Sequence, residues 1–460
     1  MATVQQDALA QLADGFGGEL LMPEEAGYDG ARTVFNAMID RRPALIARCA
    51  GTADVIGAVL YAREQGLPIG IRGGGHSAAG HSAGGDGSVL IDLSLMKGVR
   101  VDPEARTARA GAGVQWGEYD RETQVFGLAT PGGRVTTTGI GGFTLGGGYG
   151  WISTKYGLTC DNLLSADVVT ADGLLISASQ TENEDLFWAL RGGSGNFGVV
   201  TSFEYSVHPV GPLVYAGLAI FELTQGEDAM SAYRDLVENA PDELATAAVL
   251  MTAPPEEFVP ERLHGAPVLA VAVSYCGEPA TGEPLIQGLR NVGPAVDLIG
   301  PMPYRAFQAM LDPTSPPGLR NYWRGEHLTG LTDGAIETFL TFSTKGLNHY
   351  SFIILFQHGG AVSRIPEDAT AYGSRDSAFM LHPIGAWEDP ADDEKHIGWV
   401  RGVSEAMRPF HTGGVYLNLN TDEDRVRAGF GDAKYARLVE IKRKYDPDNV
   451  FRFNQNISPE

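Results

Sequence analysis

Apolar positions recur at helical spacing over residues 54–66, where Val55, Val59, Leu60 and Ala62 share one side and Gly66 closes the run. A short apolar segment, Pro68 to Ile71, follows and reads as a strand, as does Ser88 to Leu93. Val114 to Phe126 returns to helical spacing and ends at Gly127. Leu164–Thr170 and Leu174–Ser179 flank Asp172-Gly173 and predict a β-hairpin. A short helix over Glu182–Arg191 and an alternating strand over Phe197–Val207 complete the first half. Beyond Pro209 glycine clusters vanish. Strands are predicted at Val268–Cys276, Tyr350–His358 and Phe379–Trp387, and helices at 228–239, 279–291 and 393–408. The acidic run Glu388–Lys395 reads as a solvated helix start. The end of the chain predicts a strand at Val415–Leu419, a helix at 433–445, a turn at Asp446–Asn449 and an Asn-rich tail.

Length and composition narrow the class. The 460 residues suffice for two or three domain units, and 43% hydrophobic with 20% charged residues is a globular composition. Acidic residues outnumber basic ones 57 to 34, leaving a net charge of −23. Such a surface repels nucleic acid and anionic membranes, so neither is an expected partner. Cys49, Cys160 and Cys276 are the only cysteines and form no CxxC. There is no disulfide framework and no clustered Cys/His metal site, so no metal is expected. The start, Met-Ala-Thr-Val-Gln-Gln-Asp, has neither a basic nor an apolar targeting region, and no apolar run reaches the roughly 20 residues of a membrane helix. A reduced, cytoplasmic location is the expectation.

Three glycine clusters carry the candidate chemistry. The first, Arg72-Gly-Gly-Gly-His-Ser77, directly follows a predicted strand and places a histidine at its tip. The others are Gly139–Gly150 and Arg191–Gly198. Glycine permits positive φ and close approach of a ligand to the main chain, and N–H groups fanned out by such loops suit a pyrophosphate. Gly111-Ala-Gly-Val-Gln-Trp-Gly117 has one residue too many for GxGxxG and no GxxxxGK[ST] occurs, so phosphates would be held by these loops and not by a Rossmann turn or a P-loop.

These clusters, with Pro131–Trp151, Lys155-Tyr-Gly-Leu, Asp185–Gly193, Gly195–Thr201, Tyr445–Phe451 and Asn454–Ile457, resemble the FAD-linked oxidases of the vanillyl-alcohol oxidase superfamily, in the berberine-bridge-enzyme-like branch and closest to its bacterial members. The resemblance spans nearly the whole chain. It implies an α+β fold: a two-subdomain, PCMH-type FAD-binding domain over 1–208, a substrate domain over 209–409 with an antiparallel sheet covered by helices, and a C-terminal berberine-bridge segment over 410–460 that returns to the FAD domain. It also implies FAD bonded through its 8α-methyl to His76. Around the flavin it places Arg72, Gly73, Gly74, Gly75, Ser77, Gly80, His81, Pro131, Gly132, Val135, Thr138, Gly139, Gly142, Gly146, Gly148, Gly150, Val200, Tyr416, Asn418 and Asn454.

Two positions depart from the family pattern. Where bicovalent members carry a second tethering cysteine this chain has Val135, and Cys160 lies beyond the glycine cluster, so one tether is expected and none at Cys160. Several oxidases of the branch carry a Tyr-x-Asn-Tyr strand whose second tyrosine takes the substrate proton. Here the segment reads Tyr416-Leu-Asn-Leu-Asn420, and Leu419 cannot move a proton. Period-2 alternation would set Tyr416 and Asn418 opposite Leu417 and Leu419. His382 and His358 then become the candidate bases, because imidazole ordinarily titrates near neutral pH.

The expected activity is oxidation of a medium-sized organic molecule (an alcohol, hemiacetal, amine or activated C–H) with dioxygen as acceptor, in secondary metabolism. Leu419 gives weight to an alternative, a flavin-dependent oxygenase acting on a polyketide-like substrate. A flavin-bearing binding protein without turnover is a further reading. Gly80-His-Ser82-Ala-Gly84 also fits the serine-hydrolase G-x-S-x-G, which requires a strand before the serine and a helix after it.

Overall fold

The computed structural model describes residues 6–342 and 347–460; the polar start at Met1–Gln5 lies outside them. The helix Thr52–Glu64 crosses between the strands Leu45–Arg48 and Ile69–Arg72. Both pair in parallel with Val89–Asp92, and Glu19–Leu21 adds an antiparallel edge. Parallel strands need a crossover, which this helix supplies. The glycine loop bearing His76 therefore leaves the sheet at the C-terminal end of Ile69–Arg72.

A second, five-stranded sheet is antiparallel and orders Val99–Asp102, Thr107–Gly111, Val199–Ser206, Leu163–Val169 and Leu175–Ser179. The expected hairpin closes at Gly173, whose φ of +75° suits a residue without Cβ. The two sheets share one hydrophobic core, which takes in Leu45, Val89 and Ile91 of the first and Ala108, Val168 and Phe203 of the second.

Residues beyond Pro209 build a ten-stranded sheet that is antiparallel throughout. Its strands are apolar on both faces for a physical reason. Leu250, Val271, Ile353 and Leu355 pack beneath the helices Gly226–Glu238, Asp333–Thr341 and Asp393–Met407. The alternate residues, among them Phe352, Ile354, Phe356 and Met380, turn toward the FAD-binding half. The sheet also takes in His411–Val415, past the expected limit at residue 409. No helix among the described residues is long and apolar enough to cross a membrane.

Two local expectations fail. Instead of one helix over 279–291, the chain makes short 3-10 turns at Pro279–Thr281 and Glu283–Ile286 and a helix only at Gln287–Val292. Pro284 lacks the N–H that a continuous helix would use. The strand expected at Val415–Leu419 ends at Val415, and Leu417–Leu419 coils into a 3-10 turn closed by Leu419 N donating to Tyr416 O (3.1 Å).

The halves are joined by buried polar contacts. Arg375 of the substrate half grips Asp161 with two nitrogens (2.6 and 3.0 Å) and donates to Thr370 Oγ1 at 2.7 Å. The C-terminal helix Asp432–Tyr445 docks through Lys442, which is fully buried. Its ammonium donates to Asp446 Oδ2 (2.6 Å), Asn196 O (2.8 Å) and Phe451 O (2.9 Å). Removing one partner of such a buried pair strands the other charge.

One close joint sets glycine against glycine in both directions. A Cβ on Gly139 would sit 2.3 Å from the Gly74 nitrogen, and one on Gly74 would sit 2.3 Å from the Gly139 nitrogen. Gly139→Ala is expected to destabilise the protein by about 1–3 kcal/mol, the range for forced overpacking. Gly30→Ala, where the added methyl meets nothing within 4 Å, should leave thermal unfolding essentially unchanged. Equal melting temperatures for the two variants would overturn this account of the joint.

Candidate active site

An extended cavity runs between the glycine loops and the cavity-facing side of the large sheet. Gly73, Gly74, Gly75 and Ser77 line one stretch, with His76 among them; Gly139, Gly142 and Thr138 line the next. Ser194, Gly195 and Gly198 of the third cluster meet Asn454 and Gln455 at another part of the wall. That wall is knit by short bonds. Ser194 Oγ donates to Gln455 Oε1 (2.6 Å), Asn196 Nδ2 to Gln455 O (3.0 Å), and Asn454 Nδ2 to Gly195 O (2.9 Å). Asn454 Oδ1 and Ser82 Oγ are buried without partners. A burial without a hydrogen bond costs free energy, which a bound polar ligand would recover.

Of the residues expected around a flavin, His81, Val135, Val200, Tyr416 and Asn418 also line this cavity. Arg72, Gly80, Pro131, Gly132, Gly146, Gly148 and Gly150 stand behind its wall. Arg72 is committed to a buried ion pair with Asp92 at 2.7 Å. The glycines there permit close packing. A Cβ on Gly150 would lie 2.1 Å from Gly132 O, and one on Gly146 would lie 2.0 Å from Asn418 Oδ1.

His76 stacks on Phe35, with ring centroids 4.1 Å apart, and its Nε2 lies 2.8 Å from Thr137 Oγ1. Burial pushes the imidazole down to about 4, so it is neutral at physiological pH. With Nε2 engaged by Thr137, the ring is held in the wall of the cavity it lines.

The 3-10 turn at Leu417–Leu419 changes the expected strand alternation but keeps Tyr416 and Asn418 together. Tyr416 Oη accepts from Gly148 N–H (3.0 Å) and from Asn418 Nδ2 (3.2 Å), and Asn418 Nδ2 also donates to Phe143 O (3.0 Å). Burial pushes the Tyr416 phenol up to about 12, against the pull of Asn418 and Gly148. It stays protonated and, with its acceptor positions occupied, serves as a donor. Leu419 also lines the cavity and contributes only apolar surface.

The two histidines expected as bases part company. His382 lies opposite Ile354 in the sheet register and lines the cavity, edge-on to Trp323 at 5.6 Å, with Nε2 buried and unpartnered. Burial, aided by the nearby Arg134 charge, pushes it down to about 3. It is thus a neutral hydrogen-bonding group and a much weaker base than an ordinary histidine. His358 follows the end of its strand and stands outside this cavity wall. Its Nδ1 meets Ser377 O (3.1 Å) and Oγ (3.0 Å), and its Nε2 meets the Tyr372 hydroxyl (3.3 Å). Cys160 is fully buried, donates to Asp161 Oδ1 at 3.8 Å, and lies outside the lining; burial raises its thiol well above the ordinary value. Ser82 lies in the 3-10 turn His81–Ala83, not between a strand and a helix, so the nucleophile-elbow context is missing.

Sequence reasoning gave Arg134 no role, yet it lines the cavity beside Tyr149, Trp151 and Phe356. A signal was present: it is the only charged residue in the segment Pro131–Trp151.

Residues 43–179 match the family described as FAD binding domain, and residues 415–458 match the family described as berberine and berberine like. The chain is 31% identical to the FAD-linked oxidoreductase YgaK of Bacillus subtilis (strain 168), over 96% of this chain and 97% of that one. It is 31% identical to (R)-6-hydroxynicotine oxidase of Paenarthrobacter nicotinovorans, again over 96% and 97%. The crystal structure of 6-hydroxy-D-nicotine oxidase from Arthrobacter nicotinovorans superposes with a TM-score of 0.86 at 30% identity, covering 97% of this chain and 99% of that one.

The buried histidines set a pH dependence. Burial holds His208 and His358 down at about 4 and His382 at about 3, each below the ordinary 6.5. The unfolded chain therefore takes up these protons first, and their stabilising contribution, complete above about pH 6.5, is lost as pH falls toward 4. Asp120 acts in the opposite sense, because burial raises it to about 7, but it is one group against several lowered histidines, His76 among them. Stability is expected to fall on acidification from pH 6.5 to 4, with a shallower slope in His358→Gln. Denaturation midpoints that are flat across this window would contradict the assignment.

Proposed function

Because the chain belongs to the berberine-bridge-enzyme-like branch of the FAD-linked oxidoreductases, we propose that it carries FAD on a single covalent bond from His76 and oxidises a medium-sized organic molecule, with dioxygen as acceptor. The observation that carries this reading is the state of His76: a neutral imidazole on the glycine-lined wall, its Nε2 tied to Thr137. A neutral ring nitrogen has the lone pair that bonding to a carbon requires.

The residues present suit FAD. Gly73–Gly75, Gly139 and Gly142 offer backbone without side chains, and Asn454 keeps an unpartnered acceptor in the wall. When bound, the flavin supplies the electron-accepting ring. The protein supplies position and electrostatics. Tyr416 is held protonated and fixed by accepting from Gly148 and Asn418, so that its O–H would donate to a ligand in the cavity. His382, neutral and unpartnered at Nε2, holds a substrate O–H or N–H. Phe352 and Ile354 exclude water. Val135 and the buried Cys160 leave His76 as the single tether.

Oxygen transfer to the substrate is a second reading. It is favoured by Leu419 and by the low basicity of His382, which leave the site without a strong proton acceptor.

Acid precipitation tests the tether. The pellet is expected to stay yellow in the natural protein and in Cys160→Ala, and to lose its colour in His76→Ala. Colour released to the supernatant by the natural protein would remove the covalent bond from this account. Hydrogen peroxide formed one-for-one with product supports the oxidase, whereas label from 18O2 in the product supports the oxygenase.

A further inference from the structure

Arg134 presents a cation without a counter-ion. Its guanidinium carbon sits 3.7 Å from the centroid of Phe356, 4.7 Å from that of Tyr149 and 4.9 Å from that of Trp151. Its Nε is buried and unpartnered, and no carboxylate among the described residues pairs with the group. Neither neighbouring phenol supplies the missing charge. Tyr149 donates its proton to Gln357 O and burial pushes it up to about 12, and Tyr416 is held protonated in the same way. His382 is neutral and adds none. Burial lowers Arg134 itself only to about 10, so it stays charged.

The rings explain how the charge is tolerated and what it is free to do. Aromatic faces attract a guanidinium through its flat faces. They cannot accept its N–H hydrogens, which lie in the plane and radiate from the edge. A guanidinium presents its N–H donors as a planar fork that matches two oxygens of a planar anion. The surrounding wall, with Phe352, Ile354 and Ile384, is apolar.

We propose that Arg134 anchors a carboxylate of the substrate, so that the enzyme acts on an organic acid whose apolar body lies against the large sheet. This rests on the reading above that the cavity takes an organic substrate beside the flavin, and it narrows that substrate to an anion. Arg134 touches the carboxylate of the substrate and sets which molecules enter.

Titration calorimetry on the purified flavoprotein with benzoate and benzamide, which share one shape and differ in charge, tests the anchor. Benzoate is expected to bind at least about tenfold more tightly, the scale of a charge-assisted pair. Arg134→Met should abolish the preference while keeping the flavin absorbance and melting temperature. Arg134→Lys, which keeps the charge and loses the fork, should retain a reduced preference, and it carries the test if the Met variant does not fold. Equal affinities in the natural protein would overturn the proposal. So would an Arg134→Met protein that still prefers benzoate, including one whose flavin spectrum is altered, since the guanidinium would then serve the flavin. A colourless natural protein that nonetheless prefers benzoate would sink the flavin reading and leave the anchor standing.

Discussion

The cofactor cradle depends on two backbones that meet without side chains between them. Gly74 lies in the loop after the parallel sheet, and Gly139 opens the short helix Ile140–Leu145 of the neighbouring subdomain. At a Cβ-to-nitrogen distance of 2.3 Å, no other residue fits at either position without moving the main chain. The contact is supported from behind, where Trp116 N donates to Thr138 O and Ile140 N to Val114 O. Because these loops are held by backbone bonds, their N–H groups and the imidazole of His76 keep fixed positions. A cradle built from long side chains would need each of them ordered separately, at a cost in conformational entropy.

The chain's overall charge and the charge of its site have opposite signs. A net charge of −23 disfavours anions at the surface. Within the cavity wall Arg134 is cationic, and its neighbours His382, Tyr149 and Tyr416 are neutral. Fields from exposed charges fade over roughly 8–10 Å in physiological salt, while a buried charge is screened far less. The local field therefore governs what is held in the cavity, and the surface field governs only how it approaches.

Much of this arrangement was legible in the sequence because it rests on local rules. The glycine clusters, the hairpin at Gly173 and the strand Phe379–Trp387 follow from glycine's permissiveness and from short apolar runs. The failures have equally local causes. Pro284 interrupts a stretch with helical spacing. The turn at Leu417–Leu419 reads as a strand because apolar and polar residues happen to alternate there. Arg134 and the differing fates of His358 and His382 were not legible, since they depend on which distant rings and acceptors the fold brings near. Phe356 lies more than 200 residues from Arg134, and the Ser377 that engages His358 arrives on a separate loop.

The wall formed by Asn454 and Gln455 has a bearing on biogenesis. It is held by Asn196 and Gly195, made more than 250 residues earlier, and locked by the buried ammonium of Lys442. A ribosome releases the three glycine clusters and the whole large sheet before this last stretch emerges. Until then the pocket lacks this side of its wall, so the cavity is completed only once Asn454 and Gln455 have been made.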